Sequence, residues 1–235
     1  MDIKLNGYLT EPISSVSESH YYYLNLDLSD CITDNKDFIA NELFSENVRN
    51  RIVSLILPDC FETIHRKSDD MFVYKDLPIL QSITGKNILS IDNYAFQGCN
   101  TLLSIDFPKA TKISDCAFQY NRKLKTVNLP NVKNLGEFSF AGCSSLISLK
   151  LLNVTKIDDY AFFYCNSIKS IEVNNVISIG KGAFEGCESL ESIDLPNIHG
   201  VDKTVFKNCN SLKTVNLFMK FIEEFMPEVC KELFD

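Results

Sequence analysis

Between residues 88 and 217 the apolar positions of this chain recur with a fixed spacing of 22 residues. Phenylalanine marks the period at Phe96, Phe118, Phe140, Phe162, Phe184 and Phe206, each preceded by a short side chain (Ala95, Ala117, Ser139, Ala161, Ala183, Val205). Three residues later stands a cysteine, at Cys99, Cys143, Cys165, Cys187 and Cys209, with Asn121 as the exception. Six after the phenylalanine comes Leu102, Leu124, Leu146, Ile168, Leu190 or Leu212, followed by an aliphatic three further on and another apolar residue two beyond that. The Leu-x-x-Ile-x-Leu segment alternates as a short strand does, aliphatics inward and polar residues outward. Pro108, Pro130 and Pro196 directly follow it, so the strand stops there and the chain turns. The return path carries inward aliphatics at Val132, Val154, Val176 and Ile198, then at Ile113, Leu135, Ile157, Ile179 and Val201. A unit this short cannot close a core alone, so successive units must stack into a solenoid. The pattern predicts one strand per coil and, on the return, a helical or 3₁₀ turn around the phenylalanine.

The flanks are less regular. Residues 1–20 are polar and serine-rich and are expected to lie loosely on the surface. Residues 21–28 (YYYLNLDL) alternate with Leu24, Leu26 and Leu28 on one face of a strand. Asp34 or Asn35 is placed to cap a helix that carries Phe38, Ile39, Leu43 and Phe44 and runs to about Arg49. Residues 54–64 (SLILPDCFETI) match the repeat's strand, but Ser54 and Ser82 are six residues further apart than one period. The charged piece HRKSDD at 65–70 therefore reads as an outward insertion. At the far end Phe218, Phe221, Ile222, Phe225, Val229 and Leu233 recur at three to four residue intervals, which predicts a helical C-terminal cap over the last coil, or a dimer contact through that end. The expected organisation is a loose segment at 1–20, an N-terminal cap with degenerate repeats at 21–85, regular repeats at 86–217, and the cap at 218–235.

The segments NLGEFSFAGCSSLISLKLLNV and SLESIDLPNIHGVDKTVFKNC resemble the BspA-like class of leucine-rich repeats, whose units read Leu-x-x-Ile-x-Leu-Pro, then aliphatics, then Ala-Phe-x-x-Cys. The resemblance covers more than half the chain. It implies an α/β repeat solenoid: a right-handed leucine-rich repeat with a parallel β-sheet on one face, helical or 3₁₀ turns on the return path and a helical C-terminal cap. It also implies a place among surface-associated and interaction proteins of bacteria and protists, with no enzymatic site in the repeat. The function so implied is a non-enzymatic protein- or glycan-binding module, with adhesion or host and cell-surface contact as its setting. The unit is slightly shorter than the family's usual one, and the N-terminal third is atypical.

Charge and chemistry narrow the picture. A formal charge of −8 disfavours general attraction to nucleic acid or anionic membrane. No apolar run reaches the length of a membrane span, and the N-terminus lacks the basic start and apolar core of a secretory signal. The chain as it stands therefore reads as cytoplasmic, while the resemblance points to a surface or secreted setting. Five of the nine cysteines share one repeat position, which favours a column of buried free thiols over a disulfide framework. Cys116 lies outside that column and reads as partly exposed, with nothing basic to activate it. His20, His65 and His199 occupy different phases and form no metal or nucleophile site; no metal or other cofactor is expected. Gly180, Gly182 and Gly186 are repeat positions rather than a phosphate loop. The glycosylation triplet at Asn153 matters only in a secreted protein.

Binding is expected on the outward strand positions, which a solenoid presents side by side. Ser104, Thr126, Ser148, Ser170, Ser192 and Thr214 form a uniform hydroxyl column that suits a crowded sheet. Asn131, Asn153, Asn175 and Asn197 form a second column, read as structural turn-bonding asparagines. Between these the side chains vary, and the candidate face for a protein or glycan ligand is Lys125, Asn128, Ile147, Lys150, Lys169 and Glu172. A monomer is expected. The competing readings are a regulatory or enzyme-associated subunit with an activity in residues 1–80, and a structural protein that self-assembles through its ends.

Overall fold

The structure, a computed structural model, describes residues 2–9, 13, 23–34, 36–65, 77–198 and 200–217. The elements in order are β1 (Asp2–Tyr8), β2 (Leu24–Ile32), β3 (Asp37–Phe38), α1 (Ala40–Leu43), α2 (Glu46–Arg49), β4 (Ile52–Ile56), β5 (Thr63–Ile64), β6 (Ser82–Thr84), β7 (Ser90–Ile91), β8 (Ser104–Asp106) and β9 (Lys112–Ile113). They continue as β10 (Thr126–Asn128), β11 (Asn134–Leu135), β12 (Ser148–Lys150), β13 (Lys156–Ile157), β14 (Ser170–Glu172), β15 (Ser178–Ile179), β16 (Ser192–Leu195) and β17 (Thr214–Leu217). Each coil places its longer strand at the front and a two-residue strand at the back. The back sheet runs unbroken from β3 to β15, whereas the front strands form two sheets, β1-β2-β4-β6-β8-β10 and β12-β14-β16-β17. Every pairing is parallel, and from β4 onward the front strands pair in register, as in Thr126 on Ser104 and Ser170 on Ser148, whereas β1 with β2 and β2 with β4 each carry a register shift.

The register follows from what lies between the sheets. The six marker phenylalanines form one row, with centroids 5.3 Å apart from Phe96 to Phe118, 5.2 Å to Phe140, 5.7 Å to Phe162, 5.3 Å to Phe184 and 5.8 Å to Phe206. Phe118, Phe140, Phe162 and Phe184 are wholly buried, as are Leu102, Leu124, Leu146, Ile168 and Leu190 in front of them. Parallel stacking of identical rings contributes about 0.5–1.5 kcal/mol per pair beyond burial. A shift of one residue would forfeit both the ring contact and the inward aliphatics.

The return path is a second sheet and a series of left-handed turns, in place of the expected helical or 3₁₀ turn. The residues two before and two after the marker phenylalanine take positive φ, as at Cys116 (54°) and Tyr120 (61°), Phe138 (52°) and Gly142 (72°), and Tyr160 (56°) and Tyr164 (53°). Such residues stop a right-handed helix, because the conformation costs an L side chain roughly 1–2 kcal/mol. Two gains offset that cost. Alternate amides of the turn donate to the next coil, Phe118 to the carbonyl of Ser139 and Phe140 to that of Ala161, each at 2.8 Å, so the turn's polar groups are satisfied between coils. The rings also cover the neighbouring backbone: Tyr120 lies across Gly142, where a Cβ would come within 2.7 Å of the ring. Extended chain also spans the rear edge in two residues, since a strand advances about 3.3 Å per residue against 1.5 Å for a helix.

The cysteine column has a polar duty besides packing. Cys143, Cys165 and Cys187 donate their S–H to the carbonyls of Phe118 (3.1 Å), Phe140 (3.1 Å) and Phe162 (3.3 Å) in the preceding coil. Asn121 does the same through Nδ2, to Phe96 O at 2.8 Å and to Phe118 O at 2.8 Å. The position thus selects a small buried donor, which explains why asparagine can replace cysteine there. Its Oδ1 is buried without a partner.

The N-terminal third departs furthest from expectation. Residues 2–8, expected to lie loosely, form β1 on the edge of the front sheet, pairing Asp2 with Asn25 and Tyr8 with Ile32. Ile3 and Leu5 pack against the core, which the polar composition of residues 1–20 conceals. The helix expected through Arg49 is instead β3 followed by two single turns, because Phe44 is extended (φ −126°, ψ 137°) and Ile13 bridges to it. Ser54 pairs with Ser82 across the long spacing, with their hydroxyls 2.9 Å apart. Residues 66–70 of the insertion expected at 65–70, and the whole of the helical cap expected at 218–235, lie outside the described residues.

Two stability outcomes follow. Phe162→Ala is expected to cost about 3–5 kcal/mol in urea unfolding and to lower amide protection in both neighbouring coils. Asn121→Cys should raise stability by about 1 kcal/mol by removing the unpaired Oδ1, whereas Asn121→Leu should lower it by roughly 1–3 kcal/mol by orphaning the Phe96 carbonyl.

Candidate functional site

The front strands hold the variable side chains on a rigid floor. The six residues of the candidate face divide between the two front sheets: Lys125 and Asn128 at β10, and Ile147, Lys150, Lys169 and Glu172 on and beside β12 and β14. Within the second group Lys150 Nζ meets Glu172 Oε1 at 2.7 Å, with side chains 75% and 46% exposed. An exposed pair of this kind adds about 0–1 kcal/mol. Ile147 is 54% exposed beside Lys169, whose amide donates to the Ile147 carbonyl at 2.8 Å. Asn128 is tied instead to the coil before it, donating to Asp106 Oδ1 at 2.6 Å.

Between the two groups lies a cleft of about 620 Å³. Lys125, Asn128 and Lys150 line it, together with Val127, Leu149 and Leu152; Ile147, Lys169 and Glu172 do not. Val127 is only half-buried here, whereas its counterparts Ile105, Leu149 and Ile171 are buried. Outward positions on one regular strand pattern therefore converge on a concavity at a single coil boundary.

The uniform columns are structural. Nδ2 of Asn131, Asn153, Asn175 and Asn197 donates to the carbonyls of Pro108 (2.7 Å), Pro130 (2.7 Å), Leu152 (2.6 Å) and Asn174 (2.8 Å) in the coil before. The hydroxyl column lies in register along the front strands, Thr126 on Ser104 and Thr214 on Ser192. A third column escapes notice in the sequence: Asp115 Oδ1 accepts the Glu137 amide at 2.9 Å and Asp159 Oδ1 accepts the Lys181 amide at 2.8 Å. On the same turn edge Phe138 stacks on Tyr160 (4.9 Å), and Phe163 meets both edgewise. The signal for that cluster is the run of Tyr94, Tyr120, Phe138, Tyr160 and Tyr164 at the two left-handed positions.

Groups with chemical potential are otherwise engaged. His65 sits between Asp37 (Nε2 to Oδ1, 3.1 Å) and Asp92 (Nδ1 to Oδ2, 2.5 Å), tying three coils at the back edge and leaving neither nitrogen for a nucleophile. His20 and His199 lie outside the described residues. Cys116, expected to be partly exposed, is 9% exposed and stands apart from the main core cluster; burial, then Asp115 and Glu137, push its thiol up to about 11. Burial likewise raises Cys209 to about 12 and drives Cys143, Cys165 and Cys187 well above the usual thiol range. Every described cysteine is free. Among the described residues no group of three His, Cys, Asp or Glu side chains could hold a metal, and no helix is long and apolar enough to cross a membrane.

The sequence pattern described as BspA type leucine rich repeat region matches residues 68–175 and 155–233, in six copies. No curated protein matches the chain. In fold it is similar to a leucine-rich repeat protein from Bacteroides ovatus, with 21% identity over 92% of this chain and 54% of that one and a TM-score of 0.60. The chain thus spans about half the length of that protein. It is also similar to the leucine-rich repeat protein of T. pallidum, at 24% identity over 80% of this chain and 83% of that one, with a TM-score of 0.54.

Thiol chemistry tests the core assignment. In the native state Cys143, Cys165 and Cys187 should resist an aromatic disulfide reagent at pH 8, because thiolate is the attacking species and burial suppresses it. All nine cysteines should react in urea. A reductant should leave the unfolding midpoint unchanged.

Proposed function

Because the chain belongs to the BspA type leucine-rich repeat family, we propose that it is a non-enzymatic protein-binding module. Its partner docks on the front sheet across Lys125, Asn128, Ile147, Lys150, Lys169 and Glu172. The observation that carries this reading is the convergence of Lys125, Asn128 and Lys150 on the 620 Å³ cleft, at the one boundary among the described residues where the front sheet is interrupted. Repeat modules of this architecture bind through such laterally stacked side chains, and variation on an invariant frame is what allows selectivity.

A protein partner fits the surface better than a glycan. The outward positions of β10, β12 and β14 carry Lys, Thr, Asn, Ile, Ser and Glu and no aromatic ring against which a sugar could stack. They also combine an exposed aliphatic, Ile147, with charges of both signs, a mixture suited to a protein interface. The proposal extends to a partner displayed on a cell or host surface, the setting that the family resemblance implies.

Exchanging Lys150 and Glu172 as K150E with E172K keeps an ion pair across the coils while reversing the local field. Recovery of the partner from cell extracts should then fall at least roughly tenfold relative to the unaltered protein, the scale of a charge misplaced in an interface. Equal recovery would remove this face from the proposal.

A further inference from the structure

Across most of the front, each coil is bonded to the next at two places flanking the strand. The Lys125 amide donates to Leu103 O (2.9 Å) and the Lys169 amide to Ile147 O (2.8 Å); beyond the strand the Phe107 amide donates to Asn128 O (3.1 Å) and the Leu151 amide to Glu172 O (2.9 Å). Between β10 and β12 neither equivalent bond forms: the Ile147 amide does not reach the Lys125 carbonyl, nor the Leu129 amide the Lys150 carbonyl. The same two coils are closed elsewhere. At the back Asn134 pairs with both Lys112 and Lys156, and at the turn edge Phe118, Phe140 and Phe162 stack without interruption. The opening is therefore a wedge, hinged at the rear and gaping only at the front.

We propose that this wedge is a notch that seats an acidic side chain of an extended segment of a partner protein. The inference deepens the protein-binding reading and rests on it. Three features define the occupant. The carbonyls of Lys125 and Lys150, both lining residues, take no amide from the facing coil, so a peptide segment whose amides can donate to them at the mouth is complemented where a simple anion is not. Lys125 and Lys150 are the only charged residues that line the cleft, which makes its mouth cationic, and Val127 and Leu149 add apolar lining. In a chain of formal charge −8, that cationic mouth selects a locally acidic ligand over an extended polyanion, which the molecule as a whole repels. Lys150 already meets Glu172, yet an ammonium has three donors and can hold a second carboxylate.

The occupant is a side chain and not an inserted strand. Pairing a strand on both walls requires them to stand about 9.6 Å apart, twice the strand spacing. The rear ladder and the ring stack, at 5.2 Å from Phe118 to Phe140, hold these coils near a single spacing.

A fluorescein-labelled peptide of alternating Glu and Thr, followed by anisotropy and amide exchange, tests the notch. It should bind, and binding should add exchange protection at Val127 and Lys150, which line the cleft. The same peptide with Lys in place of Glu should not bind. K125E combined with K150E should lower affinity at least roughly tenfold, while K112E, on the back sheet, should change it less than about twofold. Absence of binding, affinity retained in the double variant, or displacement by inorganic phosphate or heparin at matched ionic strength would each overturn the proposal. If the Glu-Thr peptide fails while K150E with E172K still abolishes partner recovery, the notch falls and the wider face stands; the converse result removes the face and keeps the notch.

Discussion

In-register stacking of one coil on the next at the distance of two aromatic rings is the constraint from which the rest of the molecule follows. The phenylalanine row alone would let coils slide, because a stack of rings is weakly directional. The buried donors of the cysteine column remove that freedom by capturing the phenylalanine carbonyl of the coil before, at 3.1 Å for Cys143 and Cys165. Packing and hydrogen bonding thus fix the same register from two directions. A carbonyl left without its donor inside this core would cost about 1–3 kcal/mol, so the donor is as binding a requirement as the ring.

Much of this was legible in the letters. The ring row, the inward aliphatics and the asparagine column follow from phase alone, since a side chain repeated every 22 residues meets its own copy. What escaped has a physical reason in each case. The left-handed turns are invisible because Tyr and Phe, which avoid positive φ, occupy positions where glycine stands in other coils: Tyr120 and Tyr164 against Gly142 and Gly186. Contacts with the next coil, which no local propensity contains, offset the strain. The strand β1 was hidden because only Ile3 and Leu5 face the core, too few for an alternation to show in a polar stretch. The helix expected through Arg49 does not form because two of the apolar residues that suggest it, Phe38 and Phe44, stand on separate extended segments with their rings 6.4 Å apart.

The candidate face was only half legible. Variable outward residues could be picked out by their phase, but nothing in a regular repeat announces that one boundary among many is open. The spacing from Phe118 to Phe140 is the same as every other, so the interruption between β10 and β12 is a property of packing and not of length.

A solenoid that opens on one side only turns a repetitive frame into an asymmetric one. Identical coils would present the same surface at every step, and a ligand would find no preferred register along them. At the wedge, edge amides and carbonyls that most other boundaries consume internally become available, while the rear sheet and ring row keep the surrounding side chains where they are. Recognition then needs no moving part: the strands flanking the gap are already ordered, so little conformational entropy is lost when a partner fills it. The free carbonyls of Lys125 and Lys150 have a cost when the site is empty, which water can meet because both residues line the open cleft. An opening at the back or along the ring row would instead expose apolar surface and undo the register, so the front is where this architecture tolerates a gap.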